Sequence, residues 1–255
     1  MSQPEAVALT TSDGVRIVAD YWAGSGIAYA VAHGFTGSAR RAEVRRICAR
    51  LAATGAAVLA PDFRGHGRSG GYSTLGVREV RDLEAVVEFL RARGGHTAVA
   101  ALGWSMGGSV VLRYAGLGGD ADAVVSVSSP GHWWERGTKH MRQVHWAAET
   151  RAGRLATRLL LRTRLSTGWT ELPESPVEVI GGIAPRPVLI VHGDADHYFP
   201  VRHAEVLAAA APNAEFWLEV GMGHAESGTT PELVDRLDSW ARAKLGATVR
   251  EGLPR

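Results

Sequence analysis

Short, nearly continuous apolar runs alternate along the chain with stretches whose apolar residues recur every three to four positions. The runs at 15–22, 28–33, 56–60, 99–103, 123–127, 187–192 and 215–220 predict strands. Several are apolar at nearly every position, which marks strands buried on both faces of a parallel sheet. Between them, helices are expected over 39–54, 77–93, 106–115, 201–210 and 231–245. In the second of these, Leu83, Val86, Val87 and Leu90 fall on one helical face. Alternation of this kind predicts the α/β class, a mostly parallel central sheet with helices on both sides.

The alternation breaks between 131 and 183. Trp133, Trp134, Trp146 and Trp169 occur there with Arg151, Arg154, Arg158, Arg162 and Arg164, and Pro173 and Pro176 close the stretch. It is read as a helical lid inserted over the C-terminal edge of the sheet, with 1–130 and 184–255 forming the core. Arg151, Arg154, Arg158 and Arg162 are spaced to line one side of a helix, either solvated or facing an anionic substrate. The tryptophans either fill a small lid core or line a substrate pocket.

The length of 255 residues suits one domain with such an insertion. A formal charge of +2 gives no reason to expect nucleic acid as a partner. No apolar run reaches the roughly 18 residues of a membrane span, and Met1-Ser2-Gln3-Pro4-Glu5 does not open a signal peptide. A cytoplasmic protein is therefore expected, with a homodimer left open. Cys48 is the sole cysteine, so an intramolecular disulfide and a cysteine-based metal site are both excluded. Beside Ile47 and Leu51 on an expected helix, it reads as a buried structural thiol.

Two segments match the pattern Gly-x-Ser-x-Gly. In Gly103-Trp104-Ser105-Met106-Gly107 the serine follows an expected strand and opens an expected helix. That context presents a serine hydroxyl above a sheet edge, with the next helix aiming its N-terminal N–H groups at developing negative charge. Gly67-Arg68-Ser69-Gly70-Gly71 lacks both strand and helix, so Ser69 is read as a loop residue. Ser105 is the expected nucleophile.

Of ten histidines, His224 lies on the glycine-loosened loop after the last strand, where an imidazole can reach the serine as general base. His33 and His192 precede glycines at strand ends, His66 sits in a glycine-rich turn, and His132, His140 and His145 fall in the lid. The orienting carboxylate should lie between serine and histidine in the chain. After the strand at 187–192, both Asp194 and Asp196 are available, and Asp194 has the alternative of capping its own turn. Two N–H donors are needed for an oxyanion. Met106 follows the nucleophile, and Phe35 follows an early strand, its ring free to wall an acyl pocket. Trp104, Trp134 and Trp146 are the other expected substrate contacts.

The blocks His33-Gly34-Phe35-Thr36-Gly37, Asp62–Ser69, Gly103–Gly108, His192-Gly193-Asp194-Ala195-Asp196 and Gly223-His224 resemble the α/β-hydrolase fold serine hydrolases. The likeness is to the branch that holds cinnamoyl and feruloyl esterases, monoacylglycerol lipases and serine-aminopeptidase-like hydrolases. It implies Asp196 as the acid, Phe35 and Met106 as oxyanion donors, and a structural role for the loop carrying Ser69. It also implies a carboxylic ester of small or medium size as substrate, with no cofactor and no metal. Amide, thioester and carbon–carbon bond cleavage by the same triad, use of peroxide in place of water, and a non-catalytic binding role are the alternatives.

Overall fold

In the computed structural model, which describes residues 3–167 and 172–251, the apolar runs form one eight-stranded sheet. The strands are β1 (Glu5–Thr10), β2 (Arg16–Trp22), β3 (Gly26–Ala32), β4 (Ala57–Asp62), β5 (His96–Trp104), β6 (Ala123–Val127), β7 (Val188–Gly193) and β8 (Ala214–Glu219). Their order is β1-β2-β4-β3-β5-β6-β7-β8. β2 runs antiparallel to β1 and β4, and the remaining pairs are parallel. β1 was not expected from the sequence. It is an edge strand on which Leu9 alone is buried, so it lacks the continuous apolar signature of the strands inside the sheet.

Side-chain alternation divides the core between the two faces of the sheet. In β5, Val99 and Ala101 face α2 (Glu79–Arg93) and α3 (Met106–Gly116), among Leu83, Leu90 and Val111. Ala98, Ala100, Leu102 and Trp104 face α1 (Ala42–Ala53) and α9 (Pro231–Glu251), among Ile47, Leu51 and Leu237. Cys48 is a buried free thiol in this second layer, its pKa pushed up mainly by burial.

Between β6 and β7 lie α4 (Lys139–Glu149), α5 (Arg151–Leu160), α6 (Pro176–Val179) and a 3₁₀ turn at Ile180–Ile183. Thr138 and Thr150 cap α4 and α5, accepting N–H bonds from Met141 at 3.1 Å and Gly153 at 2.9 Å. A Cβ on Gly153 would fall 2.3 Å from the Trp146 carbonyl oxygen, so glycine permits this close crossing of α4 and α5. Ile180 and Ile183 are buried in the main core beside α3. The part of 131–183 that stands above the sheet edge is thus the α4–α5 hairpin. After β7 come α7 (Arg202–Ala210), α8 (Ala225–Gly228) and α9. Because β3, β5, β7 and β8 are parallel, the loops leaving their C-terminal ends meet at one edge, beneath that hairpin. Among the described residues, no helix is long and apolar enough to cross a membrane.

Candidate active site

Ser105 occupies the turn between β5 and α3 with φ 52° and ψ −118°, a conformation that side chains rarely adopt. The glycines on either side make the turn feasible. A Cβ on Gly103 would lie 2.2 Å from the Gly107 carbonyl oxygen, and one on Gly107 would lie 2.1 Å from that of Ala32. The turn is held by Ser105 N–H donating to the Val127 carbonyl at 2.8 Å and by Ser129 Oγ donating to the Ser105 carbonyl at 3.1 Å. Ser69 is buried elsewhere. Its Oγ accepts the Val18 N–H at 2.8 Å and donates to the Asp62 carbonyl.

Ser105 Oγ lies 3.0 Å from His224 Nε2, and His224 Nδ1 lies 2.8 Å from Asp196 Oδ2. With Nδ1 protonated, the imidazole donates to the carboxylate and leaves Nε2 to accept the serine hydroxyl. Asp196 Oδ1 accepts the N–H groups of Tyr198 at 2.7 Å and Phe199 at 3.0 Å. Burial would raise the Asp196 carboxyl, but the hydrogen bond and charge of His224 and these two N–H groups outweigh it. The carboxyl is held below the usual carboxylate range. Asp194 turns away and accepts the Gly221 N–H at 2.6 Å, tying its loop to the loop that carries His224.

The other strand-end histidines are structural. His33 is fully buried, accepts the Phe63 N–H through Nε2 at 3.0 Å and donates from Nδ1 to the Gly34 carbonyl at 2.7 Å. Burial, with His66 adding repulsion, pushes its pKa down to about 3. His192 Nε2 donates to the Phe199 carbonyl at 2.8 Å.

Phe35 and Met106 line the cavity with Ser105, and among the described residues neither N–H donates to a protein acceptor. The neighbouring Gly34 N–H is differently engaged, donating to Glu226 Oε1 at 2.6 Å. Glu226 thus anchors the Phe35 loop from beside His224, with Oε2 near the space next to Ser105. Burial raises its carboxyl, opposed by the Gly34 hydrogen bond. Sequence reasoning missed this residue, and the available signal was slight: a carboxylate two positions beyond the base in Gly223-His224-Ala225-Glu226.

Ser105 opens into a cavity of about 960 Å³ under the α4–α5 hairpin. Phe35, Met141, Val144, Ala147 and Leu165 supply apolar wall, and His132, Glu135 and Gln143 supply polar groups. Trp146 lines it while half exposed. Two expected substrate contacts are corrected. Trp104 is wholly buried on the opposite face of the sheet, where its Nε1–H donates to Thr229 Oγ1 at 2.9 Å. Strand alternation turns it away from the cavity that the next residue faces. Trp134 stays outside the wall, 53% exposed and packed on His132, while Trp133 takes the inner position. Trp169 lies outside the described residues. Of the arginines, Arg151, Arg158 and Arg162 are exposed, Arg154 donates to the Ala148 carbonyl, and Arg164 braces the Ser69–Gly71 loop through its carbonyls. None lines the cavity. Among the described residues, no cluster of three histidine, cysteine, aspartate or glutamate side chains could hold a metal.

A family profile described as "Serine aminopeptidase, S33" matches residues 28–178. A monoacylglycerol lipase of Mycolicibacterium smegmatis is 30% identical over 91% of this chain and 95% of its own. The esterase Pf2001 of Pyrococcus furiosus superposes with a TM-score of 0.74 at 23% identity, over 95% of this chain and 93% of its own. Est1E of Butyrivibrio proteoclasticus, solved with ferulic acid bound, superposes with a TM-score of 0.65 at 20% identity, over 94% and 100% of the two chains.

Proposed function

The chain belongs to the serine aminopeptidase S33 family of α/β-hydrolase fold serine hydrolases, and from that premise we propose that it is an esterase acting through an acyl-enzyme. The observation that carries this is the unbroken line from Asp196 through His224 to Ser105, with Oγ at the floor of a largely apolar cavity. Ser105 Oγ attacks the ester carbonyl as its proton passes to His224 Nε2. Asp196 fixes the imidazole tautomer and stabilises the imidazolium. The oxyanion accepts from the Phe35 and Met106 N–H groups; one such donor is typically worth about 3–4 kcal/mol. The carbon–oxygen bond then breaks, His224 protonates the departing alcohol, and water activated by His224 releases the acid by the reverse route. The chemistry uses no metal and no organic cofactor.

The α4–α5 hairpin serves as the lid, and its apolar wall favours an acyl chain of short to medium length. The relative named as a monoacylglycerol lipase makes a glycerol monoester one substrate to include. Turnover of p-nitrophenyl acetate, butyrate, octanoate and cinnamate, a monoacylglycerol and aminoacyl anilides tests the assignment. Ester cleavage well above anilide cleavage is expected. Preferential anilide cleavage would make the chain a peptidase, and no turnover of any substrate would make it a binding protein.

A further inference from the structure

The hydrogen bonds to Asp196 and Ser105 fix two edges of the His224 imidazole but leave its faces to other groups. Tyr198 covers one face, stacked with ring centroids 4.2 Å apart and planes inclined by 19°. Phe199 meets the ring edge-on at 5.5 Å and 64°. Tyr198 is itself clamped between the acid and the hairpin. Its N–H donates to Asp196 Oδ1, and its carbonyl accepts from Thr138 Oγ1, the cap of α4, at 2.8 Å. Its outer face is covered by His140 of α4, centroids 4.1 Å apart and planes at 26°. The His140 Nδ1–H donates to the His197 carbonyl at 3.2 Å. A column of three rings therefore runs from α4 through Tyr198 to the imidazole.

Given the esterase triad of the preceding section, we propose that Tyr198 is a positioning residue for His224, pressed against the base by His140 and so coupling the α4–α5 hairpin to catalysis. The stack performs two tasks. It fixes the plane of an imidazole whose side-chain torsions would otherwise let it tilt off the line to Ser105, where small misplacements are costly. It also lays the electron-rich face of the phenol over the imidazolium that forms on proton transfer, a cation–π contact. No hydrogen bond of the phenol hydroxyl to the base or the acid enters this geometry, so the ring matters and the hydroxyl does not.

The titratable groups around the imidazole are Asp196 in front, His192 of β7 behind it (Nε2 3.8 Å from Asp196 Oδ2), Glu226 two residues on and His140 beyond Tyr198. Replacing Tyr198 uncovers His140 but leaves Asp196, His192 and Glu226 in place around the imidazole, so a loss of kcat in a Tyr198 variant reports the stack.

The full-length chain, assayed on a short p-nitrophenyl ester, tests the proposal. Tyr198→Leu is expected to lower kcat about five- to tenfold with KM changed by about twofold or less. Tyr198→Phe restores kcat. His140→Leu, a change at a half-buried position on α4, lowers kcat about two- to threefold. In NMR spectra the His224 ring protons, shielded by the Tyr198 face, move downfield in Tyr198→Leu and in His140→Leu but hold in Tyr198→Phe. The proposal is overturned if Tyr198→Leu keeps kcat and the ring-proton positions, or acts through KM alone. Should Tyr198→Leu fold poorly, unshifted ring protons and full kcat in His140→Leu overturn it equally. The ring-proton signature needs no turnover, so it separates a failed stack from a failed triad, which Ser105→Ala exposes.

Discussion

Asp194 and Asp196 lie on the same loop, but Asp196 faces the imidazole while Asp194 braces the Gly221 backbone. Their substitutions should therefore diverge. Asp196→Asn loses the carboxylate that holds the tautomer, and kcat is expected to fall by about 10⁴ with little change in melting temperature. Asp194→Asn should cost at most about 1 kcal/mol of stability through a weaker loop bond and leave kcat nearly intact. Steady-state kinetics and melting curves of the two variants check this, and the opposite pattern would transfer the acid role to Asp194. Residue pattern alone left these two open, because a side chain's partner depends on the loop's tertiary path. The same limit hid Glu226 and Tyr198, whose partners are 192 residues distant in one case and on a stacked imidazole in the other. Ser105 and His224, which the fold brings within 3.0 Å, were singled out by local context: strand and helix around the serine, a loop after the last strand for the histidine.

At the scale of elements, seven strands and the five principal helices were readable from apolar runs and three-to-four spacing: burial on both faces marks the six inner strands, and the edge strand β8, with no fully buried residue, was readable from the run Phe216-Trp217-Leu218. β1 escaped because its residues, Glu5-Ala6-Val7-Ala8-Leu9-Thr10, offer no run of large apolar side chains and only Leu9 is buried. The α4–α5 hairpin lies within the stretch 131–183 that was read as a helical insertion, but the inward or outward direction of the tryptophans there was not legible. Adjacent Trp133 and Trp134 point to opposite environments, a difference of about 100° around a helical turn or a reversal in an extended one. Of the three tryptophans expected to meet substrate, Trp146 is the one that lines the cavity. Trp146→Ala should shift kcat/KM between acetyl and octanoyl esters by about tenfold or less, the scale of apolar contact in a pocket. Because the side chain is half exposed, its melting temperature should hold. A uniform fall across all esters with a lowered melting temperature would instead make it packing for the hairpin.

Across the whole molecule, parallel strands gather residues 35, 105, 196 and 224 at one edge, and the buried polar groups beneath that edge set how the fold responds to acid. His33 must stay neutral to accept the Phe63 N–H, with its pKa held at about 3 against the ordinary 6.5. A base depressed on folding contributes stability that is complete above about 6.5 and is lost as pH falls toward 3. Stability should therefore decline across that window, by up to about 1.4 kcal/mol per pH unit for this one proton. His33→Gln, whose amide oxygen can still accept from Phe63, should flatten the slope in denaturant titrations at several pH values. An unchanged slope would assign the acid sensitivity to other groups. The catalytic assignment itself is tested most directly by fluorophosphonate labelling followed by peptide mass spectrometry of the wild-type chain, Ser105→Ala and Ser69→Ala. One phosphonyl adduct on Ser105 is predicted in the wild type and in Ser69→Ala, and none in Ser105→Ala. An adduct that persists in Ser105→Ala, or forms on Ser69, would contradict the account.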